Sequence, residues 1–443
     1  MSTIPGARPS GASAGSGTAA AITVPQGAAV SIGAVLGTGV IALPALAAQT
    51  AGPASLVAWV ALILLSVPLA WTFASLGARY PDAGGVSTYV RNAFGGRAAA
   101  VVGWCFYFAV PAGAPAAAMF GGAYVAAAFG GGMRTTLIAS ALMTAAVTVM
   151  NLGGVRVSGK LQLGLAALLV TLLLAATLTA LPHAKLANLH PFAPHGWLAI
   201  GPAAAVLVWG FAGWEAVTSL AGDFRRPARD VPRATAIAIV VVGLLYLGVA
   251  AASILVLGPA TGSTEAPLAE LLAIGVGGPV RVITAFVAVL LTMGAMNAYF
   301  AGAAKLGAAL GRDGALPRWF ARGSAAGEVP RRSLAVVAGL AALSLTIVGV
   351  TGVGTKASAL LTTGSFVLVY ILGTAAAVRL LPKKSWSRRA AGLALVAVSG
   401  LLLMTGWYVL WTLAVTLAAL TYVHLTARSH DRPQPVQAVA CVR

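Results

Sequence analysis

Acidic residues are nearly missing from this chain, with 9 Asp and Glu against 28 Lys and Arg in 443 residues and charged types at only 8% of the whole. A soluble domain carries about 25% charged residues, so a water-facing exterior is excluded. The shortage also removes the carboxylate clusters that would hold a hard cation. Two cysteines are present, Cys105 inside an apolar run and Cys441 near the C-terminus; they lie too far apart to pair, and no disulfide is expected in a reducing compartment. His183, His190 and His195 are spaced seven and five residues apart with no Cys or acidic companion, so they read as solvated loop residues and no metal is expected. No nucleophile, base and metal constellation sits in or beside the apolar runs, which argues against an enzyme and against any cofactor. No repeated filter or charged ring suggests a channel.

What is abundant is apolar sequence. Hydrophobic types make up 59% of the chain, in many runs of about 18 residues or more, the length that crosses a bilayer. The expected fold class is an all-α integral membrane protein of roughly twelve spans, near 24–50, 53–78, 99–128, 135–151, 161–182, 198–222, 232–258, 280–310, 334–351, 357–378, 390–406 and 408–427. With the N-terminus inside, only Arg134, Lys185, Arg281 and Lys356 fall on the outer side, and the other 24 of the 28 basic residues collect on the inner side. The positive-inside rule then puts both termini in the cytoplasm. The basic excess therefore reports topology, not a nucleic-acid face. Residues 1–22 and 428–443 read as polar or low-complexity tails around a membrane domain at 23–427.

One stretch organises that domain. Within the first span, Gly37 and Gly39 flank Thr38, although each Gly costs a helix about 1 kcal/mol relative to Ala. In a bilayer, broken helical backbone is tolerated only inside protein or beside a wet cavity. The sixth span repeats the device at Trp209-Gly210-Phe211-Ala212-Gly213-Trp214-Glu215. Two broken helices in corresponding positions point to a transporter's binding site, where half-helix amides hold a carboxylate and unwound carbonyls hold an ammonium. Those are the two ends of a free amino acid. If the second break opens an inverted copy, repeat one covers about 23–182, repeat two about 198–378, and two further helices about 390–427. Pro111 and Pro115 would kink the third span beside the breaks. Pro232 is placed to open the seventh span. Glu215 is the one acidic residue expected within a span, and a carboxyl at that depth must be neutral, paired or wet.

Taken together, several motifs resemble the amino acid-polyamine-organocation superfamily of secondary transporters. They are the glycine break of span one, Pro81-x-x-Gly84-Gly85, Trp209-x-Phe211-x-Gly213-x-Glu215, Pro227-x-Arg229-x-x-Pro232 and Arg312-Asp313-Gly314-x-x-Pro317. The resemblance runs over roughly 22–427 and implies a leucine-transporter-like fold with a 5+5 inverted repeat plus two helices. Within it, the run Leu36 to Pro44 and the Pro81 turn look closest to bacterial exporters of methionine and branched-chain amino acids.

The resemblance implies a substrate carboxylate at Gly37, Thr38 and Gly39. It implies an ammonium and an aromatic cap at Trp209, Gly210, Phe211 and Gly213, and a cavity lined by Asn297 and Tyr299. It also places a Glu at position 215, where proton coupling is expected. Some relatives carry a lysine in span five, but here that position falls near Leu169, which leaves the coupling ion open. The expectation is a multi-pass protein of the bacterial cytoplasmic membrane that carries neutral apolar amino acids by alternating access. It is read as an exporter or proton antiporter whose partners are a small amino acid, a proton or other ion and the lipid bilayer. The oligomeric state is left open. Carriage of cationic amino acids or polyamines, or a nutrient sensor built on the same scaffold, stand as alternatives.

Overall fold

A computed structural model describes residues 22–80, 85–154, 159–215, 221, 224–324 and 328–430. The tail expected over 1–22, the Pro81 to Gly84 part of the turn motif and the C-terminal tail from residue 431 fall almost wholly outside that set. Among the described residues the regular structure is helical, apart from one isolated bridge between Ile22 and Phe224.

The helices are α1 (Val24–Val35), α2 (Leu43–Ala51), α3 (Ser55–Arg79), α4 (Val86–Phe94), α5 (Gly96–Phe129), α6 (Gly132–Leu152), α7 (Gly159–Ala180), α8 (Ile200–Phe211) and α9 (Pro227–Ala252). They continue as α10 (Pro267–Gly275), α11 (Val280–Arg312), α12 (Arg331–Thr351), α13 (Thr355–Leu380), α14 (Trp386–Met404) and α15 (Val409–His430). Among the described residues, ten helical stretches are long and apolar enough to cross a membrane, and Val24–Val35 and Trp197–Phe211 are shorter apolar helices. Outside the sixth and seventh spans the described helices follow the ranges expected from hydropathy to within about four residues, whereas α8 ends at Phe211, α9 starts and ends earlier than expected, and the short helices α4 and α10 lie outside the expected ranges.

Ala, Leu and Val dominate these segments, and with no water at hand the scattered hydroxyls must find acceptors nearby. Many bond back to their own helix one turn earlier, as Ser66 does to the Leu62 carbonyl (2.9 Å), Thr144 to Ser140 (2.8 Å) and Thr374 to Tyr370 (2.7 Å). This is how a half-polar side chain is buried cheaply.

The long helix α5 is buried along most of its length and carries Pro111 and Pro115 in its interior. Two hydroxyls of α13 reach its carbonyls in that region, Ser358 to Ala112 (2.5 Å) and Thr362 to Ala109 (3.2 Å). α5 and α13 are thereby fixed together beside the breaks.

One helix begins earlier than the proline signal suggests. Pro227, not Pro232, opens α9, and the Asp230 carboxylate accepts the Arg226 N–H (3.1 Å), which caps the earlier start. Pro232 then lies in the second turn of the helix.

Candidate functional site

The first span is broken where its glycines fall. α1 stops at Val35; Gly37 is extended (φ −79°, ψ −171°), a single 3-10 turn covers Thr38–Ile41, and α2 resumes at Leu43 with Pro44 in its first turn. The second break follows Phe211, where Ala212 is extended (ψ 142°) and Gly213 takes φ +121°. Only glycine visits such a backbone freely. A Cβ on Gly213 would sit 2.6 Å from the Ala34 carbonyl oxygen, so the two breaks press directly against each other.

Broken helices expose backbone groups that must be satisfied, and tyrosines do this here. The Tyr246 hydroxyl of α9 lies 2.9 Å from the Val35 carbonyl and 2.6 Å from the Gly210 carbonyl, one from each broken helix. The Tyr124 hydroxyl of α5 donates to the Ile41 carbonyl (2.6 Å) and accepts the Leu268 N–H (3.2 Å). Tyr370 of α13 donates to the Glu215 carboxylate (2.6 Å), which also accepts the Gly213 N–H (3.1 Å). None of these tyrosines was singled out in the sequence. A Tyr at mid-span in an otherwise apolar run was the available signal, since a buried hydroxyl needs a partner.

Trp209 occupies a slot made by two glycines. A Cβ on Gly39 would collide with the Trp209 ring edge, and one on Gly113 of α5 would lie 2.8 Å from its far corner. Phe120 meets the same indole edge to face at 5.9 Å. Phe211 faces the other way. It packs against Tyr246 (5.1 Å) and Trp59 (6.0 Å), 4% exposed and behind the break.

The two positions proposed on α11 also separate. Tyr299 lines the cavities described next, whereas Asn297 is buried and its carboxamide oxygen accepts from Asn151 of α6 (2.8 Å). A Cβ on Gly210 would meet Leu43 at 2.6 Å with Tyr246 behind it, while one on Gly37 would meet nothing nearer than the Val35 carbonyl oxygen at 4.0 Å. Thr38 contributes the start of the 3-10 turn.

Three cavities follow one another along α1, α2 and α5. The largest, about 370 Å³, lies between α1, α7, α11 and the second break; Glu215 is the charged residue among the described residues that line it, and Leu169 stands in its wall. The next, about 50 Å³, shares Gly37, Ala295 and Tyr299 with the first and is bounded by Trp209, Met296, Phe366 and the small residues of α5 around Gly113. The third, about 200 Å³, starts beyond Trp209 and Phe120, among Ala42 to Gln49 of α2, Met119 to Ala123 of α5 and the first residues of α13. The first cavity runs along α1 from Ala29 to Gly37 and so reaches the breaks, and the rings of Trp209 and Phe120 stand between the second cavity and the third.

Comparison with known proteins converges on one family. The family model described as "Amino acid permease" matches residues 22–432. The "Uncharacterized amino acid permease YecA" of Bacillus subtilis is 33% identical over 403 residues, 91% of this chain and 95% of that protein. The "L-methionine/branched-chain amino acid exporter YjeH" of Escherichia coli is 33% identical over 400 residues, 88% of this chain and 92% of that protein. The "Branched-chain amino acid permease BcaP" of Bacillus subtilis is 25% identical over 238 residues, about half of each chain.

Proposed function

This chain belongs to the amino acid permease family of the amino acid-polyamine-organocation superfamily, and from that premise we propose that it is a secondary active transporter of neutral, apolar amino acids. The observation that carries the substrate class is the central cavity. Its described lining holds no charged residue: Ala109, Gly113, Ala295, Met296 and Phe366 wall it, with Trp209 across one end. A cationic side chain entering there would give up its hydration for nothing. An aliphatic or thioether side chain loses only its contact with water.

The zwitterion's ends go to backbone. The unwound stretch Gly37, Thr38 and Gly39 would present the Thr38 and Gly39 amides to the carboxylate, the Gly37 N–H donating to the Val35 carbonyl (2.7 Å), and the carbonyls released after Gly210 would face the ammonium. Gly37, which borders both inner cavities and has open space beside it, is the closest approach of backbone to substrate. Methionine, leucine, isoleucine and valine are the proposed set, in keeping with what the Escherichia coli relative is named for.

Twelve spans in a 5+5 inverted repeat plus two is the proposed architecture, with α1 joined to α2 as one discontinuous span and α8 as the first part of the other, the rest of which lies largely outside the described residues. The repeats would cover about 23–182 and 198–378. With both termini cytoplasmic, the large cavity along α1 and α7 opens inward, and the conformation described is the cytoplasm-facing one. Alternating access closes that cavity by moving α1 and opens the Trp209 and Phe120 barrier on the other side. Export driven by an opposing proton gradient is the proposed direction of net movement.

Glu215 is the proposed proton site. It stands half-buried at the edge of the inner cavity, holds Tyr370 and the Gly213 amide, and so joins a titratable carboxyl to the backbone of the second break. Leu169, where some relatives carry a lysine, offers no alternative.

Reconstituted in proteoliposomes, the protein should move labelled methionine, leucine, isoleucine and valine against the direction in which an imposed pH gradient drives protons, and leave arginine behind. Movement of arginine alone would overturn the substrate class. In the same assay Glu215→Gln should retain exchange of substrate for substrate while losing the pH dependence of net flux. A pH profile matching wild type would exclude coupling through this carboxyl.

A further inference from the structure

The third cavity contains two opposite charges that do not meet. Lys356, in the first turn of α13, and Glu265, in the connection before α10, both line it. The Lys356 ammonium donates to the Thr50 hydroxyl of α2 at 2.9 Å. An ammonium has three N–H groups, so that hydroxyl occupies one. Among the described residues, no carboxylate lies within ion-pair distance of Lys356 and no cation within ion-pair distance of Glu265. Lys356 is half-buried and Glu265 exposed.

A cation and an anion that line one cavity without pairing match a ligand that carries both charges. Gly354, which caps α13, and Thr355, its first residue, line the same space, and a helix start adds to the preference for a negative group beside Lys356. Phe120 belongs to the lining as well, and its ring meets Trp209, which walls the central cavity.

We propose that this cavity is a second binding site for the zwitterion of the transported amino acid, with Lys356 receiving the carboxylate and Glu265 the ammonium, on the far side of the aromatic barrier from the central site. The inference rests on the transport reading above. Substrate held there waits one barrier away from the broken helices, already oriented by its two charges. Because both contacts are to the charged ends, the site recognises α-amino acids in general and leaves the choice of side chain to the central cavity.

Vectorial flux kinetics test it. The KM for methionine is measured separately from each face of oriented proteoliposomes, for wild type, Lys356→Gln, Lys356→Arg and Glu265→Gln. Losing one charge-assisted contact should raise the KM on the Lys356 face about tenfold, with the maximal rate and the KM on the opposite face unchanged. Lys356→Arg should restore most of the affinity, which a merely structural role for the Thr50 contact would not require. Unaltered KM on that face in Lys356→Gln overturns the site, and so does an equal rise on both faces, since that places the effect at the central cavity or in the fold. Wild-type protein that moves none of the neutral amino acids overturns the transport reading, and this site with it.

Discussion

Gly213→Ala is expected to cost at least about a hundredfold in transport and to lower thermal stability in detergent, the largest loss among single substitutions near the site. Two independent effects add. The backbone at 213 holds φ +121°, where a residue with a Cβ pays about 1–3 kcal/mol. The new methyl would also face the Ala34 carbonyl oxygen at 2.6 Å, and that neighbour is backbone, unable to rotate aside. Relief would require separating the two breaks, and with them the Gly213 amide from Glu215.

Gly210→Ala is the matched control. Its Cβ would meet the end of the Leu43 side chain at 2.6 Å, a methyl that can turn away, so uptake within about threefold of wild type is expected. Fluorescence-detected thermal unfolding and methionine flux measure both variants. Near-wild-type flux in Gly213→Ala would show that the turn is not held as described.

The second large effect is expected at Gly39. A methyl there overlaps the edge of Trp209, and the indole cannot retreat because Gly113 and Phe120 hold its other sides. Displacing it removes the wall between the central and outer cavities. Gly39→Ala should therefore lower methionine transport by about a hundredfold while leaving the protein folded. Shrinking the indole in the same background, as Gly39→Ala with Trp209→Phe, should recover part of that loss. At Gly37 the same methyl enters open space and should raise KM by only a few fold, about 1 kcal/mol or less. Equal damage at Gly37 and Gly39 would refute a role for the Trp209 slot.

The breaks were legible in the sequence because glycine is expensive inside a helix and has few uses there. Gly37, Gly39 and Gly213 fall where both helices stop, and Glu215 stands at the cavity beside them. Which neighbour faces the cavity was not legible. Trp209 and Phe211 are two residues apart, as are Asn297 and Tyr299, and on a helix that spacing turns side chains about 200° from each other. Within each pair only one can look into the same space. Trp209 and Tyr299 do; Phe211 and Asn297 pack behind, against Trp59 and Tyr246 and against Asn151. Periodicity states this exclusion but not its phase, which depends on where each helix begins.

The tyrosines that satisfy the breaks were hidden for another reason. Tyr124, Tyr246 and Tyr370 come from helices far away in sequence, and a mid-span Tyr looks the same whether its hydroxyl serves its own helix or another. The partner of Lys356 was equally invisible, since Thr50 lies 306 positions away.

The string of cavities has an electrical consequence. If water fills the inner cavity from one side and the outer cavity from the other, the membrane's voltage drops not over the whole bilayer but over the two rings of Trp209 and Phe120. A full elementary charge crossing that short step gains or loses about 2.3 kcal/mol per 100 mV. A zwitterion has no net charge and crosses without sensing the voltage, whereas a lysine or arginine would be pulled toward the negative interior. Under the proposed proton coupling, a neutral cargo would leave the membrane potential free to act on the proton alone.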